Sequence, residues 1–478
     1  MADYRRKRWR GEMAVRVDVN GALDALIGPG GLQAQDLESL QPRVAQAHDR
    51  LGARRSAKEL RFRDLPYEKR EVQKILELAR ELRSEVDTLV VLGIGGSALG
   101  ARALYQALCP PFHDHQPGTA ERGVRLLIAD TVDPSTFGAL LDEVDPHRTA
   151  FNVISKSGET AETMSQFLIV RERLLRTLGA VDYSRHLVIT TDADAGALRQ
   201  IVNDEGLRSL AVPPGVAGRY SVLTAVALLP AAVAGIDVTE LLAGAAAMDE
   251  RCAAPSLFEN PAYLHGAVHY LAHVARQKTV QVLMPYCDGL RGLADWFVQL
   301  WAESLGKAVD VDGQPLHGGQ TPVAALGASD QHTRLQLFAE GPNDKILTFV
   351  RVDDHGARLD VPRGYGDLES VAYLGGRTLG DLLNLEQRAT EASLAALGRM
   401  STTLHVPRLN AFTLGQLFYL LEVQTVFVAT LHRLDPFNQP GIEPGKRLIY
   451  GLAGRRGYEE KRAEVEAWMQ KKNPRYVI

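Results

Sequence analysis

The chain has 478 residues, 45% hydrophobic and 23% charged, which excludes a disordered chain and supplies material for two or three domains. Lys and Arg total 54 against 58 Asp and Glu, so the net charge of -4 gives no electrostatic reason to expect nucleic acid as partner. No stretch reaches the ~20 uninterrupted apolar residues of a membrane-spanning helix. The three cysteines, Cys109, Cys252 and Cys287, lack any C-x-x-C spacing, which excludes a disulfide framework or zinc knuckle and suits a reducing cytoplasm.

The basic start, Arg5 to Arg10, is followed by no apolar run of signal-peptide length and reads as a solvated arm. Residues 37–82 are charged with apolar positions three and four apart, which predicts a helical layer within an N-terminal unit of residues 1–59 and its continuation. From residue 88 the period changes. Residues 88–92 read as a strand, 93–96 as a loop and 98–108 as a helix, and further strands follow at 124–129, 151–154 and 186–190, separated by helical stretches. Parallel strands need crossovers, and the crossovers supply covering helices, so this alternation predicts an α/β domain over residues 60–235. It restarts with a helix at 263–277, a strand at 279–284, a helix at 290–305 and a strand at 345–350, giving a second domain over 236–432 that ends in a helix at 414–431. The Pro- and Gly-rich stretch 435–445 opens a tail over 433–478 and predicts neither helix nor central strand.

In such sheets ligands gather beyond the carboxyl ends of the strands. Gly93-Ile94-Gly95-Gly96-Ser97-Ala98 follows a strand and opens a helix, so main-chain N–H groups can approach a ligand unobstructed. It also satisfies the dinucleotide pattern G-x-G-x-x-A, yet Asp130, which closes the next strand, lies later than the usual ribose-binding acid. Ser155-Lys156-Ser157-Gly158-Glu159-Thr160 places three hydroxyls and a run of donors at a helix start, where an ordinary cap needs one hydroxyl. That is chemistry for a phosphomonoester. Gly218-Arg219 stands at another helix entrance, where a guanidinium can stabilise charge developing on substrate oxygens. Gln299 and Glu303, four apart, share a helix face beside Trp301, and partial desolvation there suits a carboxylate to accept a carbon-bound proton. His332, and Gln439 with Lys446 in the tail, carry little signal alone.

Together and in this order, over roughly residues 60–450, these segments resemble the phosphoglucose isomerase family, the glucose-6-phosphate isomerases, in its shorter bacterial form. The resemblance implies two sugar-isomerase domains, each a parallel β-sheet sandwiched by helices, in a homodimer acting on a sugar phosphate with no metal or cofactor and no membrane partner. It further implies that Ser155, Ser157 and Thr160 hold the phosphate with main-chain help from Lys156. Gly96, Ser97 and Gly218 would line the sugar side, and Gln299 and Gln439 complete the pocket. His332, reaching across from the neighbouring subunit, and Lys446 would assist ring opening, Glu303 would carry the proton between C2 and C1, and Arg219 would stabilise the cis-enediolate. Gln439 is followed by proline where longer relatives carry tryptophan, and Gly158-Glu159 replaces a more hydroxyl-rich loop centre.

Three rivals stay open at this point. A nicotinamide oxidoreductase would use 93–98, whereas a non-catalytic sensor would have no need of Glu303, Arg219 and Lys446. A metal-dependent isomerase would use His265, His269 and His273, which are spaced on one helix face but lack H-E-x-x-H or a neighbouring acid cluster, so packing is the preferred reading.

Overall fold

The computed structural model describes residues 3–113 and 123–478. Strand β1 (Arg16–Asp18) lies near the start of the chain. Strands β2 (Thr88–Leu92), β3 (Arg125–Ala129), β4 (Thr149–Ile154), β5 (Leu187–Asp192) and β6 (Arg208–Val212) form a parallel sheet in the order β3-β2-β4-β5-β6. Next come β7 (Val280–Pro285), the β8 (Lys307–Val309) and β9 (Pro315–Gly318) hairpin, β10 (Thr321–Ala324), β11 (Lys345–Asp354) and β12 (Met400–Arg408). They build a second sheet, β1-β12-β11-β7-β10, parallel except for β1. The N-terminal segment therefore contributes more than helix, because its short strand edges the second sheet.

Side chains alternate across a strand, and both sheets bury both faces. In β2, Leu89 and Val91 join the main core, whereas Val90 and Leu92 join an outer one with Phe151, Val153 and Phe167. In β11, Ile346 and Val350 face the main core, and Leu347 and Phe349 pack with Val282 and Met284 on the other side. Continuous apolar strands are what a doubly covered sheet requires.

Helices between the sheets pack unusually close. A Cβ on Gly244 would lie 1.9 Å from the Phe412 carbonyl oxygen, and one on Gly415 would lie 2.0 Å from that of Leu241, so the helices Val238–Arg251 and Ala411–Leu431 touch main chain to main chain. Among the described helices only Ala411–Leu431 has the length and apolarity of a membrane span, and nearly all of it is buried inside the protein. Its Gln424 Oε1 accepts from His265 Nδ1 (2.7 Å), and His265 and His269 go on to Thr402 and Thr348 of the second sheet. His265 and His269 thus belong to a buried polar network, whereas the half-buried His273 packs against the His432 ring, and burial pushes His265 down to about 4. Across the core, Asp249 accepts from Arg55, Arg63, Tyr67 and Tyr419, tying the helix Ala34–Ser56 to the interior.

The tail differs from its expected irregular course. After the turn Pro440–Ile442 a helix, Glu443–Leu452, begins within the Pro/Gly-rich stretch, with Pro444 in its first turn. The N–H that proline lacks is unpaired there in any helix, so the residue read as a breaker starts one.

Candidate active site

The carboxyl ends of β2 and β4 deliver two loops to one edge of the first sheet. After β2 the chain turns through the 3-10 helix Gly95–Ser97 into the helix Leu99–Leu108. A Cβ on Gly96 would stand 2.4 Å from the main chain of Gly218, and one on Gly95 3.0 Å from Gln299 Nε2. Only glycine permits that approach, and it brings the loop, Gly218 and Gln299 together. Asp130, the rival ribose ligand, is occupied by Arg102 Nη2 at 2.7 Å.

After β4, Ser155 Oγ lies 2.9 Å from Thr160 Oγ1 and accepts from Gly158 N at 3.2 Å, while Ser157 Oγ accepts from Glu159 N at 3.3 Å. The loop curls on itself at the start of the helix Ala161–Asp182, whose N-cap Thr160 makes no side-chain cap bond. The first N–H groups of that helix stay available to an anion, with the helix dipole behind them. Lys156 turns away, donating Nζ to the Val216 carbonyl at 2.7 Å, and burial lowers its proton affinity. Its side chain braces the loop against the segment that precedes Gly218. Glu159 receives both Nη groups of Arg455 at 3.2 Å, and Arg455 itself lies over the Tyr450 and Tyr458 rings. Among the described residues this is the hydrogen-bonded link from the segment 443–478 to the body of the protein.

Arg219, in the short 3-10 helix Gly218–Tyr220, is 1% exposed and uses all its donors. Nε donates to Ser304 Oγ (2.9 Å), Nη1 to Glu303 Oε2 (3.0 Å) and Gln439 Oε1 (3.1 Å), and Nη2 to the carbonyls of Pro436 and Asn438. Gln299 Nε2 donates to Glu303 Oε1 at 2.9 Å along the helix Arg291–Leu305. Gln299, Glu303, Arg219 and Gln439 therefore converge from three distant stretches of chain. The Glu303 side chain is 28% exposed, which keeps it reachable. Trp301 does not shield it. Two residues apart on a helix lie on nearly opposite faces, and Trp301 packs inward against Phe297 and His269.

Two expected residues stand apart. His332 ends the turn Ser329–His332, exposed and without a hydrogen bond among the described residues. Lys446 lies on the exposed tail helix, its Nζ 2.9 Å from Glu443 Oε1. Sequence reasoning passed over Ser304 and Tyr220, whose hydroxyls meet at 3.0 Å behind Arg219, although Ser304 adjoins Glu303 in the motif. It also passed over the Pro436 and Asn438 carbonyls, which carry no side-chain signal. A cavity of about 590 Å³ lies beside Lys307, lined by Arg50, Arg54, Asp310 and Asn438 as well, and residues 155–160 do not line it. Among the described residues no three His, Cys, Asp or Glu side chains gather as a metal-holding group.

A family model described as phosphoglucose isomerase matches residues 80–467. The chain is 41% identical over 467 residues to a glucose-6-phosphate isomerase of Carboxydothermus hydrogenoformans, covering 98% of this chain and 100% of the relative. It is 44% identical over 430 residues to a glucose-6-phosphate isomerase of Rubrobacter xylanophilus, covering 90% and 96%. Among solved structures, a hypothetical protein of Thermus thermophilus superposes with a TM-score of 0.82 at 38% identity, covering 92% of this chain and 100% of that one. With a match across most of its length, the chain belongs to the phosphoglucose isomerase family.

Proposed function

We propose that the chain interconverts glucose 6-phosphate and fructose 6-phosphate, a step of glycolysis and gluconeogenesis, with the 155–160 loop holding the phosphate and Glu303 acting on the sugar carbons. The observation that carries this reading is the convergence of Gln299, Glu303, Arg219 and Gln439, together with a hydroxyl-rich loop that leads into a helix start whose first N–H groups have no side-chain cap. The phosphate docks on Ser155, Ser157, Thr160 and the helix N–H groups, which fixes the sugar carbons in front of Glu303. Gly96, Ser97 and Gly218 face the sugar. His332 and Lys446 move the protons that open the ring.

Glu303 then takes the proton from C2 and returns it to C1, a one-carbon journey that one base on one face can make. Arg219 stabilises the enediolate between the two steps. Its Nε and Nη2 are held by Ser304 and by main chain, whereas the Nη1 partners, Glu303 and Gln439, are side chains that substrate oxygens can displace. Acid–base catalysis accounts for ~10²- to 10⁴-fold, so phosphate anchoring and the guanidinium supply much of the rest.

The working unit is a homodimer in which His332 serves the neighbouring site. Its exposure and lack of partners support that role, as do the exposed Ile449, Leu452, Trp468 and Met469 of the tail, which a second subunit would cover. The free thiols Cys109, Cys252 and Cys287 suit the cytoplasm. The test is conversion of fructose 6-phosphate in a coupled assay containing EDTA. Activity is expected for the wild type and loss of it in Glu303→Gln, which keeps shape and removes the base. Near-normal turnover in that variant would mean another group moves the proton.

A further inference from the structure

The motif that carries Glu303 ends on a lysine with no part in the chemistry above. Lys307 opens β8 directly after Gly306 and is 8% exposed. Lysines are rarely withdrawn this far from water unless paired, yet this ammonium donates to two main-chain carbonyls, Glu303 O at 2.7 Å and Asn438 O at 2.5 Å. The first lies in the last turn of the helix Arg291–Leu305, where a cation offsets the dipole. The second also accepts from Arg219 Nη2. One ammonium thus joins the main chain that carries the base to the loop that grips the arginine and bears Gln439.

We propose that Lys307 is a positioning residue for the isomerase reaction, its ammonium fixing the distance between the Glu303 main chain and the 436–439 loop so that Glu303 and Arg219 address the same substrate carbons. This rests on the roles proposed for Glu303 and Arg219 and adds the element that holds them in register. Burial first, and then the Arg219 guanidinium, push the ammonium down to about 8, while Asp435 and Glu303 act in the opposite sense. On its solvent side stand Arg50, Arg54, Glu59, Asp310 and Arg433. These are guanidinium and carboxylate groups, classes that ordinarily titrate far from the ammonium's range.

A lysine titrating lower in the fold than in the unfolded chain keeps its charge at a cost to stability. That cost is full below about 8 and disappears only above the ordinary lysine range. Retention of such a group favours function over stability. Loss of its proton removes the charge assistance from both bonds, and turnover falls with it.

The experiment measures kcat and KM for fructose 6-phosphate from neutral to alkaline pH in the wild type, Lys307→Arg, Lys307→Met and Glu303→Gln. Wild-type kcat is expected to decline with a midpoint of about 8. Lys307→Arg restores most of the neutral-pH activity without that decline, because a guanidinium stays charged. Lys307→Met, melting no lower than wild type at neutral pH, loses roughly 10- to 100-fold in kcat with KM changed less than about threefold, the signature of misplaced groups on an intact phosphate site. Should the arginine variant not fold, the methionine variant carries the test alone. Wild-type kcat in Lys307→Met, or the same alkaline midpoint in either variant, overturns the proposal. An inactive wild type, or a Glu303→Gln variant at full rate, defeats the isomerase mechanism instead, so the two failures are told apart.

Discussion

Replacing Arg219 by lysine keeps the charge and removes the geometry. The guanidinium spends five N–H donors on Ser304, Glu303, Gln439, Pro436 and Asn438, whereas an ammonium has three on a shorter stem. At least two bonds from a charged donor are forfeited, each worth about 1.5–3 kcal/mol. Movement of the 436–439 loop toward the ammonium recovers part of that, leaving a net loss of about 2–4 kcal/mol, which a domain of ordinary stability survives. The effect on chemistry follows from the same loss. If Nη1 is the donor that meets the enediolate oxygens, its removal costs about 10²–10³ in kcat, as for a lost oxyanion donor. The assay pairs urea unfolding with kcat and KM for fructose 6-phosphate. A folded lysine variant whose kcat stays within about threefold of wild type would refute the reasoning, and a raised KM at unchanged kcat would mean that Arg219 binds ground and transition states alike.

Two further outcomes concern stability. Asp249→Asn leaves Arg55 and Arg63 without their shared carboxylate in the interior, and a loss of about 3–5 kcal/mol is expected in urea unfolding. Burial alone would raise the Asp249 pKa, but the Arg55, Tyr419 and Arg63 donors outweigh it and hold the group below the usual aspartate range. Its stabilising share is therefore present above the unfolded aspartate value and lost as pH falls through the folded one, and in the asparagine variant this acid dependence should shrink. His265 works from the other direction. Burial lowers it to about 4 from the ordinary histidine value of 6.5, so the unfolded chain takes up protons first and stability should fall as pH drops from 6.5 toward 4. His432, partly buried and lowered to about 4, adds to the same slope. A melting temperature flat across that window would contradict the neutral state of both.

Much of the fold is legible in local patterns, because each β-strand and helix answers to its own neighbours in sequence. The apolar runs 88–92 and 151–154 announce doubly covered strands, and the glycines after β2 and the hydroxyls after β4 mark the loops at their carboxyl ends. β1 escaped such reading, since a three-residue strand has no period and owes its existence to pairing with β12 nearly four hundred residues away. The tail helix was hidden by Pro444, whose meaning depends on whether it lies in a helix's first turn or its middle.

At the site the division falls between residue type and register. A carboxylate, an arginine and a cluster of hydroxyls in the order of a known family pointed to the chemistry and to candidate actors, Glu303, Arg219 and Ser155 to Thr160, before any coordinate. Tertiary structure decided what touches them. Trp301 faces the core and leaves Glu303 to Arg219, main-chain oxygens of Pro436 and Asn438 hold the guanidinium, and Lys307 closes the circuit through carbonyls alone. Such contacts are made by backbone atoms that every residue shares, so their presence depends on how distant segments meet and leaves no trace in the identity of the side chains.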